Sequence, residues 1–192
     1  MLNIVLFGPP GAGKGTQSEK IIDRYTLVHI ATGDLFRRHL GEGSELGKLA
    51  QGFMDEGKLV PDEVVIGMVE DKIKENLDAK GFIFDGFPRT INQADALDNM
   101  LNEHQLVISG MVALVVPHEE LRVRIKERAK TSGRVDDQDD KKISKRIEVY
   151  EEETSPVAGH YKGQAKYNSI NGVGSISDIF NQITSVIDSF KD

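Results

Sequence analysis

The chain has 192 residues, of which 39% are hydrophobic and 29% are charged, and this composition is typical of a globular domain with a substantial core. Its formal net charge of -7 argues against a nucleic-acid surface, because proteins that bind duplexes carry a basic face, so any anionic ligand must meet a local basic cluster. The chain contains no cysteine, which excludes disulfide bonds and thiolate metal sites.

The first residues lead at once into an apolar run, without a basic leader or the small residues of a cleavage site. No apolar stretch approaches the roughly 18 residues that a membrane-spanning helix needs. The sequence therefore predicts a cytoplasmic protein that binds neither membranes nor nucleic acid.

Short β-rich runs alternate with stretches of helical periodicity, a pattern that predicts a parallel sheet covered by helices. The runs at residues 4–7 and 112–116 are continuously apolar, as expected for central strands with helices on both faces. The predicted strands are residues 3–7, 27–30, 81–84, 111–116 and 165–170.

The first apolar run ends in a glycine-rich segment, residues 8–16, which predicts a phosphate-binding loop between a strand and a helix. Such a turn aims backbone N–H groups and the positive end of the helix dipole at one point. Gly11 and Gly13 let the backbone approach phosphate oxygens, and Lys14 supplies a positive charge. The Thr16 hydroxyl is a candidate magnesium ligand, although one residue separates it from the lysine.

Between residues 30 and 81 only helical stretches punctuated by glycines occur, so we expect an all-helical insertion rather than a missed strand. A second interruption, residues 131–142, carries an acidic run and predicts a short mobile loop. The last helix is predicted to begin after Ser175 and to bury a stripe of Ile176, Ile179, Phe180, Ile183, Ile187 and Phe190.

A second constellation follows the strand predicted at residues 81–84, where Asp85 lies at the carboxyl end and Arg89 follows after a turn. Ligands of open α/β sheets bind at this edge. Asp85 can hold magnesium, most readily through water because this ion dehydrates reluctantly, and Arg89 can bind a phosphate through two hydrogen bonds. The alternatives are an acid that caps the turn and an arginine in a surface salt bridge.

Four further arginines, Arg124, Arg128, Arg134 and Arg146, surround the second interruption. The first two share one face of a helix predicted over residues 119–129. Guanidinium groups that converge on one cleft repel one another unless an anion lies between them. Phosphoryl transfer needs such a group of positive charges, because they stabilise the negative charge on the phosphoryl group as it moves. The alternative is a solvated basic face paired with local acids.

Five segments occur in one order along essentially the whole chain: the phosphate loop, ATGDLFR at residues 31–37, GKLVP at 57–61, DGFPRT at 85–90 and SGRVDD at 132–137. In this combination the sequence resembles the adenylate kinase family. The resemblance implies a three-layer α/β phosphate-loop kinase with five parallel strands and helices on both faces, which converts Mg·ATP and AMP into two ADP.

The resemblance also implies a division of the chain. The core would comprise residues 1–30, 61–128 and 141–192, a helical AMP-binding insertion residues 31–60, and a lid residues 129–140. Only seventeen residues separate Arg128 from Arg146, which is similar to the family's short-lid form without zinc.

Site residues follow from the same resemblance. On the ATP side it implies Gly11, Ala12, Gly13, Lys14, Gly15, Thr16, Arg124, Arg128 and Gly174. On the AMP side it implies Thr32, Arg37, Lys58, Leu59, Val60, Gly86, Phe87, Pro88, Arg89, Gln93, Arg134 and Arg146. Catalysis would depend on Lys14, Asp85, Arg89, Arg128, Arg134 and Arg146, with magnesium brought by ATP and near Thr16 and Asp85.

Two polar residues bear on which nucleotide accepts the phosphoryl group. Thr32 and Gln93 resemble the family positions that hydrogen-bond the adenine of AMP, where related pyrimidine kinases tend to have Ala and Asn. AMP is therefore the expected acceptor, because a mismatched base would leave buried polar groups unpaired. Two alternatives stay open, a UMP/CMP kinase and a nucleotide-binding regulatory switch without efficient turnover. We expect a monomer whose small-molecule partners are ATP, AMP and ADP.

Overall fold

The computed structural model describes residues 1–190. Within this range no helix combines the length and the apolar character that crossing a bilayer requires. The strands are β1 (Leu2–Phe7), β2 (Val28–Ala31), β3 (Gly81–Asp85), β4 (Gly110–Val115) and β5 (Tyr167–Asn171). The helices are α1 (Lys14–Tyr25), α2 (Thr32–Gly41), α3 (Glu45–Asp55), α4 (Asp62–Lys74), α5 (Ile91–Glu103), α6 (His118–Ser132), α7 (Asp140–Val149), α8 (Val157–Gly163) and α9 (Ile176–Ser189). A 3-10 turn (Val135–Asp137) precedes α7, and a π-helical turn (Tyr150–Thr154) follows it.

The strands form one parallel sheet in the order β2-β3-β1-β4-β5, which confirms the predicted fold class. In the register between β1 and β3, Leu6 lies beside Asp85. The chain leaves β1 toward one edge of the sheet and leaves β3 toward the other, so a crevice opens at the carboxyl ends of these two strands. Ligands of open α/β sheets bind in such a crevice.

Alternate residues of the central strand β1 face two separate layers of helices. Val5 and Phe7 pack with side chains of α4, α5 and α8, whereas Ile4 and Leu6 pack with α1 and α9. All four side chains are buried. Burial on both faces explains why this run is apolar throughout rather than alternating with polar residues.

The helical insertion lies where the sequence predicts it, with α2 and α3 between β2 and α4. Ser44 caps α3 because its hydroxyl accepts a hydrogen bond from the N–H of Gly47 at 3.1 Å. Gly47 is buried against the end of α2, where a β-carbon would lie 2.3 Å from the carbonyl carbon of His39. The two helices therefore approach this closely only because the residue is glycine.

The loop predicted at residues 131–142 is shorter in the structure, because α6 extends to Ser132 and α7 begins at Asp140, with one 3-10 turn between them. α6 ends at Ser132, where the next residue, Gly133, has a φ of 62° that stops the helix, and α7 begins after Asp139, whose side chain caps its first turn. The segment between α6 and α7 is held in place by contacts between residues that are distant in sequence. Such contacts cannot be predicted from the polarity of the segment itself. The apolar cluster that joins α6 and α7 consists of Ile125, Ile143 and Ile147.

The last helix, α9, begins after Ser175 as predicted, and the Ser175 hydroxyl accepts a hydrogen bond from the backbone three residues on. The predicted core stripe is correct for the isoleucines in the middle and at the end of the helix. The prediction is wrong for Ile176, which is 51% exposed. This first residue of α9 contacts α1 through its backbone carbonyl, which accepts a hydrogen bond from Gln17 Nε2 at 3.1 Å.

Two glycines of α3 provide a matched test of the contact between α2 and α3. Gly47→Ala should destabilise the protein by about 1–3 kcal/mol, because its methyl group collides with the backbone of α2. Gly52→Ala should stabilise it by about 0.5–1 kcal/mol, because Gly52 is exposed and a β-carbon there meets nothing within 4 Å. Thermal unfolding of both variants checks the pair, and equal melting temperatures would contradict the close approach.

Candidate active site

The phosphate loop connects the end of β1 to the start of α1 at Lys14. Gly8, Gly11 and Gly13 have φ angles of 147°, 85° and 92°, which residues with side chains rarely adopt. A β-carbon on Gly11 would also lie 2.8 Å from Ile125 Cγ1. The loop is thus shaped by bare backbone at the N-terminus of a helix, where N–H groups and the helix dipole favour an anion.

Lys14 folds over this loop, and its Nζ donates hydrogen bonds to the carbonyl oxygens of Gly8 at 2.7 Å and Pro9 at 3.1 Å. Burial is the main reason that the pKa of Lys14 falls from 10.5 to about 8. Neighbouring arginines lower this pKa as well, whereas the carboxylate of Asp85 opposes the change. The lysine is therefore buried beside several arginines, and the phosphates of a nucleotide would stabilise its charged form.

Asp85, the last residue of β3, lies at the crevice between β1 and β3. Burial raises its pKa, but His29 and the charge of Lys14 outweigh burial and hold the pKa below its usual value. The carboxyl group is therefore ionised at neutral pH. His29 Nε2 lies 3.7 Å from Asp85 Oδ2, beyond hydrogen-bond distance, so its influence on the carboxylate is electrostatic.

The turn after β3 brings Thr32 and Arg89 to one carbonyl. Thr32 Oγ1 and Arg89 Nε each donate a hydrogen bond of 2.7 Å to the oxygen of Gly86. Gly86 has a φ of 74°, and a β-carbon there would lie 2.8 Å from Arg89 Nη2. Burial, with help from the charge of Arg146, lowers the pKa of Arg89 to about 10, which leaves the guanidinium positive at neutral pH.

Gln93 extends this arrangement and is 1% exposed. Its Oε1 accepts a hydrogen bond of 2.8 Å from the N–H of Arg89, and its Nε2 donates one of 2.8 Å to Asp62 Oδ1. Thr32 and Gln93 are thus linked through the Gly86–Arg89 turn. The two residues predicted to read the acceptor base therefore belong to one hydrogen-bonded unit.

Asp137 holds two of the predicted arginines together. Arg128 donates two hydrogen bonds to its carboxylate, at 2.7 and 2.8 Å, and Arg146 Nη1 donates a third at 2.7 Å. The Asp137 side chain is completely buried. Burial raises its pKa, but the hydrogen bonds and charge of Arg128 outweigh burial and keep the pKa below its usual value.

The other predicted basic residues are also paired with acids. Arg37 forms an ion pair with Asp34, and Arg134 Nη2 lies 3.7 Å from the same carboxylate. Arg124 Nε donates a hydrogen bond of 2.8 Å to Glu120. Burial, together with the charges of neighbouring arginines, lowers the pKa of Arg134. The pair between Asp34 and Arg134 connects α2 of the insertion with the segment that follows α6.

Most of these groups line one cavity of about 570 Å³ at the carboxyl ends of β1 and β3, whereas Asp62, Glu120 and Asp137 are not part of its lining. Among the described residues that line it, eight are Lys or Arg and four are Asp or Glu, so a chain with negative net charge presents a positive cavity. Of the site residues predicted from the sequence, Gly174 alone is absent from this lining, because it lies in the turn between β5 and α9.

Comparisons with known proteins agree with this geometry. The family model for adenylate kinase matches residues 6–166. The chain is 49% identical over 189 residues to the adenylate kinase of Flavobacterium psychrophilum, an alignment that covers 98% of this chain and all of that one. It is 50% identical over 189 residues to the adenylate kinases of Flavobacterium johnsoniae and Bacteroides fragilis, with the same coverage. The chain belongs to the adenylate kinase family.

Three acidic neighbours of the adenylate kinase site were not predicted from the sequence. Asp34 and Asp137 lie inside segments that carry the family resemblance. The resemblance predicted roles for their arginine partners but not the ion pairs that the two acids form. Asp62 follows Pro61 at the start of α4 and carries no signal beyond that of an acid in the first turn of a helix. Its partner Gln93 is thirty-one residues away.

The residues predicted near magnesium fit an ion that arrives with ATP. Thr16 and Asp85 line the cavity, and the Asp85 carboxylate is ionised. One hydroxyl and one carboxylate supply hard oxygen atoms but leave most positions of an octahedral ion to phosphate oxygens and water, as this ion prefers. No group of three or more His, Asp or Glu side chains that could hold a metal ion occurs in the part of the chain that the structure describes.

Nucleotide binding should be linked to protonation of Lys14. At pH 9 a lysine with a pKa of about 8 is mostly neutral in the free protein, and bound phosphates should restore its charge. We expect net uptake of up to about one proton per ATP at pH 9 and little uptake at pH 6, where the lysine is already charged. Calorimetric titration in buffers of different ionisation enthalpy measures this uptake. The same uptake in Lys14→Met would show that another group is responsible.

Proposed function

We propose that this adenylate kinase family member catalyses reversible transfer of the terminal phosphoryl group of Mg·ATP to AMP, giving two ADP, and so maintains the balance of adenine nucleotides. The proposal rests on one observation: a phosphate loop, several arginines and the buried residues Thr32 and Gln93 all line the same cavity. A phosphate donor and a base-bearing acceptor can therefore bind side by side.

We assign the ATP side to the phosphate loop, residues 11–16, together with Arg124 and Arg128. The positive φ angles at Gly11 and Gly13 support a role for bare backbone at the phosphates. Lys14 would balance the charge of the phosphates. The turn around Gly174 remains a prediction for the far side of the ATP base.

We assign the AMP side to α2, the loop before α4 and the turn after β3. Arg37 and Arg89 would bind the AMP phosphate, and Thr32 and Gln93 would read its base. Gly86 supports this assignment because its carbonyl joins Thr32 to Arg89. The remaining residues assigned to this side line the cavity and are Lys58, Leu59, Val60, Phe87, Pro88, Arg134 and Arg146.

The chain's residues would act on the transfer by charge and position rather than by proton abstraction. An oxygen of the AMP phosphate is already ionised, so it can attack the terminal phosphorus of ATP without a general base while the bond to the bridging oxygen breaks and ADP leaves. Arg128, Arg134 and Arg146 would stabilise the negative charge spread over the moving group. Magnesium bound to the ATP phosphates would neutralise part of the same charge, close to Thr16 and Asp85.

We further propose that residues 31–60 and 129–140 act as the AMP-binding insertion and the lid of a core formed by the rest of the chain. The ion pair between Asp34 and Arg134 supports this, because it joins the two segments across the cleft. Closure would exclude water, which otherwise competes with AMP for the phosphoryl group. One chain supplies both sides of the cavity, which supports a monomer. We propose the cytoplasm as its location.

Conversion of ADP into ATP and AMP by catalytic amounts of the purified protein tests the proposal, and rapid turnover is expected. Lys14→Met should lower turnover by about two orders of magnitude or more, because it removes a charge that acts on the phosphates. Its melting temperature and circular dichroism serve as the folding control. Binding of nucleotides without turnover by the wild-type protein would favour the regulatory switch instead.

Thr32→Ala tests which residue reads the acceptor base. Its hydroxyl is buried, so losing it should leave a partner on adenine unpaired at a cost of about 1–3 kcal/mol. We expect the ratio of kcat/KM for AMP to that for CMP to fall, while the KM for ATP hardly changes. Thr32→Ser keeps the hydroxyl and should keep the ratio. An effect mainly on ATP would contradict the assignment of the two sides, and a preference of the wild type for CMP or UMP would favour a pyrimidine kinase.

A further inference from the structure

Asp62 lies at the start of α4 and makes contacts that a helix-capping acid would not need. Its Oδ2 accepts hydrogen bonds from Thr90 Oγ1 at 3.0 Å and Asn92 Nδ2 at 2.9 Å, and its Oδ1 accepts one from Gln93 Nε2 at 2.8 Å. Three side chains at the start of α5 therefore converge on one carboxylate. Asp62 itself is not among the described residues that line the cavity.

These contacts leave the Gln93 amide a single orientation. A carboxylate only accepts hydrogen bonds and a backbone N–H only donates, so the amide nitrogen must face Asp62 and the amide oxygen must face the N–H of Arg89. A flipped amide would set its NH₂ group against the Arg89 N–H and its oxygen against the carboxylate. One N–H and one lone pair of the amide remain for a ligand.

The Thr32 hydroxyl is likewise restricted to one hydrogen-bonding role toward a ligand, that of an acceptor. Its proton is donated to the Gly86 carbonyl at 2.7 Å, so only lone pairs remain for the base. A base that satisfies both side chains must donate to Thr32 and offer Gln93 a donor together with an acceptor. The amino group and ring nitrogens of adenine meet this requirement, whereas a 6-oxo purine would set a carbonyl oxygen against the hydroxyl lone pairs.

We propose that Asp62 is a positioning residue for acceptor selection, which fixes the Gln93 amide so that the site distinguishes a 6-amino purine from a 6-oxo purine. This inference rests on the proposed AMP side of the cavity. Asp62 does not touch the nucleotide and acts through Gln93. Its removal should therefore change which base is accepted and leave the handling of phosphates intact.

Asp62→Ala tests the proposal. The measurement is kcat/KM for AMP, the 6-amino purine nucleotide, and for IMP, its 6-oxo counterpart, at saturating Mg·ATP. We expect the KM for AMP to rise about tenfold and the AMP-to-IMP ratio to fall about tenfold, because the amide is free to turn. The kcat at saturating AMP and the KM for ATP should stay within about twofold of wild type. In a Gln93→Ala background the Asp62→Ala change should have no further effect on the ratio.

Two matched controls separate positioning from helix stability. Glu63→Ala removes the exposed acid in the same helical turn, and Asn92→Ala removes an exposed donor to the same carboxylate. Both should keep the AMP-to-IMP ratio of wild type. Asp62→Asn should restore most of the ratio, because its amide oxygen can still accept from Gln93.

An unchanged AMP-to-IMP ratio in folded Asp62→Ala overturns the proposal, even where its melting temperature falls. If this variant does not fold, Asp62→Glu takes its place, since the added methylene displaces the carboxylate while keeping its charge. A lowered ratio is again expected, and an unchanged one again overturns the proposal. Failure of the wild type to use AMP would instead overturn the proposed function.

Discussion

The crowding of positive charge in one partly buried cleft is the constraint on which the site depends. Burial and the charges of neighbouring arginines lower the pKa of Lys14, Arg89 and Arg134, in keeping with positive groups that are crowded together away from water. The buried carboxylate of Asp137 reduces the mutual repulsion of Arg128 and Arg146, which it holds side by side. Part of the repulsion remains, and an incoming polyphosphate relieves it. This cleft should therefore bind anions more strongly than a solvated basic surface would.

The same constraint explains why the helices around the cleft need short-range contacts of their own. Segments that carry like charges into one space would separate unless packing opposed the repulsion. The apolar cluster of Ile125, Ile143 and Ile147 holds α6 to α7, and Gly47 allows α2 and α3 to touch. Asp34 then lies between Arg37 and Arg134 and joins the two sides of the cleft.

Features that depend on neighbouring residues in the sequence could be predicted, and features that depend on distant ones could not. The five strands, the phosphate loop and the helical insertion follow from apolar runs, glycines and periodicity, and all are present. The cavity also gathers nearly every predicted site residue, because the carboxyl ends of parallel strands share one edge. Asp62 and Asp137 escaped prediction since their partners are set by tertiary packing. The exposure of Ile176 and the extension of α6 and α7 into the ends of residues 131–142 were missed for the same reason.

Charge and hydrogen-bond direction do different work in this cleft. The arginines and Lys14 attract any phosphate, because a charge interaction at this range depends little on what else the ligand carries. Selection of a base requires groups whose donors and acceptors cannot exchange, and a neutral amide or hydroxyl meets that requirement only when its surroundings hold it. Gln93 and Thr32 are held by Asp62, by the N–H of Arg89 and by the carbonyl of Gly86. Since Arg89 is also proposed to bind the acceptor phosphate, one turn after β3 would fix the base and the phosphate of the acceptor relative to each other. A rigid turn of this kind would place the attacking oxygen at a set distance from the phosphate loop only when the correct base is bound.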